Sequence, residues 1–296
     1  MTQDNLTAKA KIIGEIRTTI AELRDLPTLP AVAHQARKII NDPKSSMKDL
    51  VEIIKSDLAI SGRILRIANS AYYGIPRKVD NLRLALVILG MSEIANLVTT
   101  ISVLRMFKGK SFPRNFDILK FWGHGAFCAE ISVELYKLLK LPIPNGAYIA
   151  GLLHDVGKLV MALYFEDLFN KCQSIYEKSE LRYHEIEVRE IGIDHGHIGS
   201  WLVKRWNLPD NITQSIARHH IRPSDAPQFD LSVIVDWADR FYYLARDNDP
   251  DQIIEFLNKS EEWKLWHGGR IASNSELQVA LIDGAKRSGE LITALN

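Results

Sequence analysis

The segment His154-Asp155-Val156-Gly157-Lys158 places an imidazole, a carboxylate and an ammonium inside the apolar run AGLLHDVGKLVMALYF. On a continuous helix His154 and Lys158 are four residues apart and Asp155 and Lys158 three, so the three groups share one face. Burying them costs several kcal/mol unless they pair with one another or hold a metal. Gly157 costs about 1 kcal/mol relative to alanine in a helix, which implies that something approaches the backbone there. A salt bridge between Asp155 and Lys158 beside a core histidine would satisfy this segment taken alone.

Other segments present the same chemistry. His124 lies in FDILKFWGHGAFCAEISVELYKLL, where Gly123, Gly125 and Ala126 would let its ring approach a second helix. His195 and His197 open the amphipathic stretch that continues IGSWLVKRWNLP, and His219-His220 closes ITQSIARHH. Asp236 and Asp239 stand three apart in the apolar SVIVDWADRFYYLA. Each has an ordinary reading, as a hydrogen-bonded core histidine, as helix-end polarity or as a paired carboxylate. Five helices that each aim a His or Asp from an apolar face are better explained together. Imidazole and carboxylate ligands without thiolate suit zinc, iron, manganese or nickel, and a bridging Asp suits a pair of ions about 3.5–4 Å apart. That combination points to metal-assisted hydrolysis, with Lys158 supplying positive charge for a phosphate oxygen.

The elements that would position these groups read as helices. Apolar residues recur at three and four, Ser46 to Asp49 has capping-box spacing, and Asp80, Asn115, Asp210 and Asp230 stand ahead of apolar periodic runs. Prolines fall between the runs. The expectation is an all-α chain of about a dozen helices: an N-terminal helical lobe over 1–110, a connector at 111–117 opening a helical bundle over 111–246, and a C-terminal helical extension over 247–296. The bundle holds seven of the nine histidines. Trp263 and Trp266 in the extension suggest packing onto the body.

Composition narrows the function classes. The 296 residues carry 37 Lys and Arg against 36 Asp and Glu, a net +1, so no broad basic field marks a nucleic-acid binder. Arg63, Arg66, Arg77, Lys78 and Arg83 read as a solvated basic face. The two cysteines, Cys128 and Cys172, lie far apart, which fits a reducing cytoplasm better than a disulfide framework or a thiolate zinc site. The apolar stretches 84–107 and 148–165 are interrupted by polar and charged residues and read as buried helices, so no membrane is expected as a partner.

The order His124, His154-Asp155, His195, His219-His220, Asp239 resembles the HD superfamily of metal-dependent phosphohydrolases, and HDVGK resembles the HD-x-GK of its HD-GYP branch. The stretch LPTLPAVAHQARKIINDPKSSMKDLVEIIKSDLAISGRILRIANSAYYG, followed by LRLALVILGMSEI, is similar to the HDOD domain, and the likeness spans about residues 20 to 245. The resemblance implies an N-terminal lobe packed on an HD-type bundle and a role in bacterial signal transduction. It implies one or two divalent transition-metal ions, iron or manganese ahead of zinc or nickel. His124, His154, Asp155, His195, His219, His220 and Asp239 would be the metal ligands, with Asp155 bridging and Asp155 and Lys158 the catalytic pair should the chain be an enzyme. His195 is preferred to His197 by its spacing to Gly199, and Asp239 to Asp236 by the pair Ala238-Asp239. His219 and His220, about 100° apart on a helix, would not both point inward. Asp57-Leu58 stands where Asp-Pro is usual, and IRPSDAPQ replaces the GYP signature, which weighs against cyclic-dinucleotide hydrolysis. The expected role is a module that binds a signalling protein or a phosphate-containing small ligand, with an active phosphohydrolase as the alternative.

Overall fold

The computed structural model describes residues 3–22, 30–70, 75, 78–221, 225, 227–271 and 273–295. Most of the Leu-Pro-x-Leu-Pro segment, the residues after Asn69-Ser70, and Arg77 lie outside these. The described residues form seventeen α-helices and no strand, an all-α architecture. In chain order they are α1 (Gln3–Glu22), α2 (Ala31–Asn41), α3 (Met47–Lys55), α4 (Leu58–Ala68), α5 (Leu82–Leu89), α6 (Met91–Phe107), α7 (Ile118–Leu138), α8 (Ala147–Leu153) and α9 (Val156–Tyr164). There follow α10 (Glu166–Tyr176), α11 (Tyr183–Glu190), α12 (His195–Arg205), α13 (Asp210–Arg218), α14 (Leu231–Asp247), α15 (Pro250–Lys259), α16 (Glu261–His267) and α17 (Asn274–Leu295). The count exceeds a dozen because apolar periodicity runs through breaks of one or two residues.

Capping sets several of the boundaries. The Asp49 carboxylate accepts from the Ser46 backbone N–H at 2.8 Å, closing the start of α3. Asp230 caps α14 by accepting from Ser232 N–H at 2.9 Å. Two starts fall slightly later than the sequence pattern suggests. Asn81, not Asp80, accepts from Leu84 N–H, and Asp117, not Asn115, accepts from Leu119 and Lys120 N–H. In both cases the capping side chain immediately precedes the helix and accepts from a free N–H two or three residues on.

Buried apolar side chains gather in two clusters. The smaller joins α2 to α6 through Ala36, Leu50, Ile54, Ile60, Ile64, Leu86 and Val98. The larger runs through α7 to α14 and also takes Ile16 and Ile20 of α1, Val103 and Phe107 at the end of α6, and Trp263, Leu277 and Leu281 of the C-terminal helices. Trp263 and Trp266 pack against Trp237 of α14 with ring centroids 5.0 and 5.6 Å apart. The connector at 111–117 is itself packed: Phe112 stacks on Phe116 at 5.1 Å, and Phe116 meets Phe169 of α10 edge-on. Among the described residues no single helix is long and apolar enough to cross a membrane; the stretch 84–107 bends by 114° between α5 and α6, and 148–165 ends where the chain turns by 117° into α10. Cys128 and Cys172 are buried free thiols.

Candidate metal centre

Glycines bring the helices that carry the histidines unusually close. A Cβ on Gly157 of α9 would lie 1.9 Å from the His195 carbonyl oxygen and 2.8 Å from the Gly199 nitrogen, so α9 and α12 touch backbone to backbone. A Cβ on Gly151 of α8 would lie 2.5 Å from the Cys128 carbonyl oxygen, which sets α8 equally close to α7. His124 on α7 and His154 after α8 thereby face each other, as do Asp155 before α9 and His195 at the start of α12.

The HD pair sits in a helix break. His154 keeps helical angles (φ −53°, ψ −37°) as the C-cap of α8, while Asp155 (φ −92°, ψ 3°) leaves them as the N-cap of α9. The continuous helix expected from the spacing is therefore interrupted at the two residues that matter. Lys158 still reaches back, its Nζ 2.7 Å from Asp155 Oδ2.

Three imidazoles are held in the same way. His154 Nδ1 donates to Gly151 O at 2.8 Å, His219 Nδ1 to Ile216 O at 2.7 Å, and His195 Nδ1 to Glu187 Oε2 at 2.5 Å. A carbonyl oxygen only accepts, so the ring hydrogen of His154 and His219 is on Nδ1, and each Nε2 presents a bare lone pair inward. The inward atoms crowd together: His124 Nε2 to His154 Nε2 is 3.1 Å, His195 Nε2 to His219 Nε2 3.2 Å, and His220 Nε2 to His195 Nε2 2.9 Å. His219 and His220 both point inward because α13 ends at Arg218, which frees His220 from the helical 100° step. The expectation that only one of them could do so is corrected by that early termination.

Asp155 lies between two groups of donors. Its Oδ1 is 2.9 Å from His195 Nε2 and 3.9 Å from His219 Nε2, and its Oδ2 is 3.4 Å from His124 Nε2 and 3.6 Å from His154 Nε2. Asp239 Oδ1 closes the second group, 3.2 Å from His124 Nε2 and 3.8 Å from His154 Nε2. The two residues weighed as substitutes are elsewhere. His197 has a half-exposed side chain whose Nδ1 is 2.8 Å from Asp194 Oδ1, and Asp236 lies 2.9 Å from Arg240 Nε.

Charge in the centre is tightly balanced. Burial pushes the Asp155 carboxyl up, but Lys158, His154 and His195 outweigh it and hold it well below the usual range. Asp239 is likewise held low against burial, by the adjoining His124 and His154 imidazoles. His195 is pushed up to about 9: burial lowers it, but the Glu187 and Asp155 carboxylates prevail over burial and Lys158. His219 is drawn down to about 3 by burial and by the neighbouring His154 and His195, so it is neutral at pH 7.

This arrangement fits a divalent cation. Two nitrogens at about 2.1 Å from one ion and at right angles are about 3.0 Å apart, close to the observed spacings. Nitrogens set against each other at such distances need a proton or a metal cation between them, and with His195 raised to about 9 the metal-free protein holds a proton there that a cation would replace. Asp155 Oδ1 is buried and makes no aligned hydrogen bond, although His195 Nε2 is 2.9 Å away. His195, His219 and His220 with Asp155 Oδ1 form one potential donor set, and His124, His154 and Asp239 with Asp155 Oδ2 another. Sequence reasoning missed Glu187, a buried carboxylate that accepts from both the backbone N–H and Nδ1 of His195. Its only sequence signal is that it follows Ile186 within the apolar side of YHEIEVRE, eight residues ahead of a histidine.

An all-α chain with His and Asp from several helices clustered in the interior of a bundle defines a class of candidate metal-binding proteins, and comparison with known families sharpens it. The HDOD domain family matches residues 26–222, and the chain belongs to that family. It is similar to an HDOD domain protein of unknown function from Geobacter sulfurreducens, at 23% identity and a TM-score of 0.77 over 98% of both chains. It is similar to a provisionally named phosphohydrolase from Shewanella amazonensis SB2B, at 23% identity and a TM-score of 0.76 over 95% of this chain and 98% of that one. These likenesses show the fold. A Treponema pallidum (strain Nichols) protein is 24% identical over 211 residues, 71% of this chain, and the match spans 40% of that relative's length.

Proposed function

We propose that the chain is a metal-holding HDOD signalling module, in which His124, His154, Asp155, His195, His219, His220 and Asp239 hold one or two divalent cations, and which acts by binding a signalling protein or a phosphate-bearing ligand. The observation that carries the metal is the 3.2 Å separation of His195 and His219 Nε2, with both Nδ1 atoms already committed to acceptors. Glu187 and the Gly151 and Ile216 carbonyls fix the rings in advance, which a ligand set requires and a merely buried histidine does not. Iron or manganese suits the imidazole-carboxylate donors, with zinc and nickel as the other candidates. The signalling role draws support from membership of the HDOD family and from the match to only 40% of the Treponema relative, as expected of a module used within larger chains. Elemental analysis of protein purified without chelator tests the reading. A stoichiometric metal is expected, lost in Asp155→Ala; protein with no metal in either form would sink it.

One feature supports a phosphohydrolase as the second reading. Lys158 Nζ reaches the edge of the centre, its side chain 20% exposed, while still 2.7 Å from the Asp155 carboxylate. A bound divalent cation supplies Lewis acidity toward a phosphoryl oxygen. Lys158 would hold a second phosphoryl oxygen and Asp155 would keep Lys158 charged and aimed, since burial lowers its proton affinity and Asp155 more than restores it. The provisional description of the Shewanella relative as a phosphohydrolase points the same way. Turnover of a generic phosphodiester that Lys158→Met abolishes at unchanged metal content would establish this reading; metal without turnover across phosphoesters would leave the binding module.

A further inference from the structure

A second cleft lies away from the metal centre, where the N-terminal helices meet the bundle. Arg63 of α4, Leu104, Arg105 and Phe107 of α6, Lys108 to Lys110, Phe112, and Ile118, Leu119 and Trp122 of α7 enclose a cavity of about 220 Å³. Four cations line it and no carboxylate does. The nearest acids are committed: Asp57 caps α4 through Ile60 N–H and pairs with Arg105 at 2.6 Å, and Asp117 caps α7 and pairs with Lys120 at 3.7 Å. Arg63, Lys108 and Lys110 have no ion pair among the described residues. Arg63 is half-buried, and its guanidinium is drawn below its ordinary value by burial and by the like charges of Arg105 and Arg66, against the opposing Asp57. Like charges gathered this closely are relieved by an anion. The walls between them are aromatic, with Phe107 and Trp122 5.8 Å apart at 48°.

We propose that this cleft binds a small phosphate-bearing ligand with one aromatic ring system, of mononucleotide size. Arg63, Arg105, Lys108 and Lys110 supply the phosphate contacts, and Phe112, Ile118 and Leu119, over the buried Phe107 and Trp122, the apolar surface for the ring. At about 30 Å³ of liquid per water molecule, the cavity has room for roughly seven waters. That encloses a phosphoryl group and one edge of a ring, with the rest of a mononucleotide lying outside the cleft. A planar guanidinium suits two phosphate oxygens at once, and arginine also stacks on bases. The cleft opens beside the first turn of α7, the helix that carries His124 two residues after Trp122, so its occupant would sit directly on an element of the metal centre.

Calorimetric titration of the full-length, chelator-treated protein with inorganic phosphate, pyrophosphate, AMP and GMP tests the proposal. The expected result is saturable binding of AMP or GMP, tighter than phosphate. Arg63→Gln/Lys108→Gln should weaken it at least tenfold, Arg63→Lys should change it only a few-fold, and Lys158→Met should leave it intact. Lys108→Gln/Lys110→Gln, both in an exposed turn, serves as a second variant if the Arg63 change disturbs α4, and the same weakening is expected. Wild-type affinity in both double variants would overturn the proposal, as would loss of binding that follows Lys158→Met instead. A short DNA oligomer or a polyglutamate peptide that displaces AMP and binds more tightly would overturn the small-ligand assignment in favour of a macromolecular partner.

Discussion

Gly157 and His195 are in backbone contact: a methyl group added to the glycine would lie 1.9 Å from the histidine's carbonyl oxygen. The obstruction is backbone, which cannot swing aside as a side chain can, so α9 and α12 would have to separate. Gly157→Ala should therefore destabilise the fold by about 1–3 kcal/mol or more, as overpacking does, although alanine is the better helix former. It should also displace His195 from Asp155 and so lower retained metal. Denaturant unfolding together with elemental analysis checks both effects. A stability change under about 0.5 kcal/mol with full metal content would contradict the contact.

Glu187 should govern metal affinity without touching the metal. It fixes the His195 ring and raises the basicity of Nε2, and changes to such outer partners typically cost about 10–100-fold in affinity. Glu187→Ala is expected in that range, read by competition with a chromophoric chelator. Glu187→Gln, which keeps an acceptor oxygen but loses the charge, should fall between Ala and wild type. Equal affinities in all three proteins would remove Glu187 from the site.

The candidate site was largely legible because polar side chains on apolar helix faces are expensive and therefore conspicuous. His124, His154, Asp155 and Asp239 each stood out that way, and Gly157 advertised the close approach later found at His195. Glu187 was not legible, because in YHEIEVRE it looks like any surface acid until α11 is packed against α12. The inward turn of both His219 and His220 was hidden as well: it depends on where α13 stops, and one residue more of helix would have turned one ring away. The break at His154-Asp155 was hidden for a related reason, since apolar spacing continues unbroken through it. Helical character and the all-α fold follow from local periodicity, whereas the entry of α1 into the larger apolar cluster through Ile16 and Ile20 depends on contacts far apart in sequence.

Metal binding should expel protons. In the metal-free protein His195 titrates near 9, above its ordinary value, so its protonated form contributes stability that is complete below about 6.5 and fades as pH rises through 9. A cation at Nε2 must displace that proton, and affinity should rise about tenfold per pH unit for each proton released between pH 6.5 and 9. Calorimetry at pH 7 in two buffers of different ionisation enthalpy should give different apparent enthalpies. Identical enthalpies would mean that no proton leaves and that His195 Nε2 is not a ligand.

Asp236 carries a separate pH dependence on the same helix as Asp239. Burial pushes its carboxyl up to about 7, Arg240 opposes that rise, and the nearby Asp239 adds to it. Its Oδ2 is 2.9 Å from Arg240 Nε, yet the two atoms are not aligned for a hydrogen bond, so the pair compensates burial only in part. A carboxyl whose proton affinity is higher folded than unfolded favours the folded state at low pH. That contribution is full below the unfolded value near 4 and disappears as pH rises to 7. Wild-type stability should therefore fall across pH 4–7 by on the order of a few kcal/mol at most from this group. Asp236→Asn, neutral throughout, should flatten that part of the curve and leave the variant the more stable protein at pH 8. Urea midpoints measured at intervals from pH 4 to 8 on both proteins decide it: parallel curves would show that Asp236 ionises normally and that Arg240 fully compensates its burial.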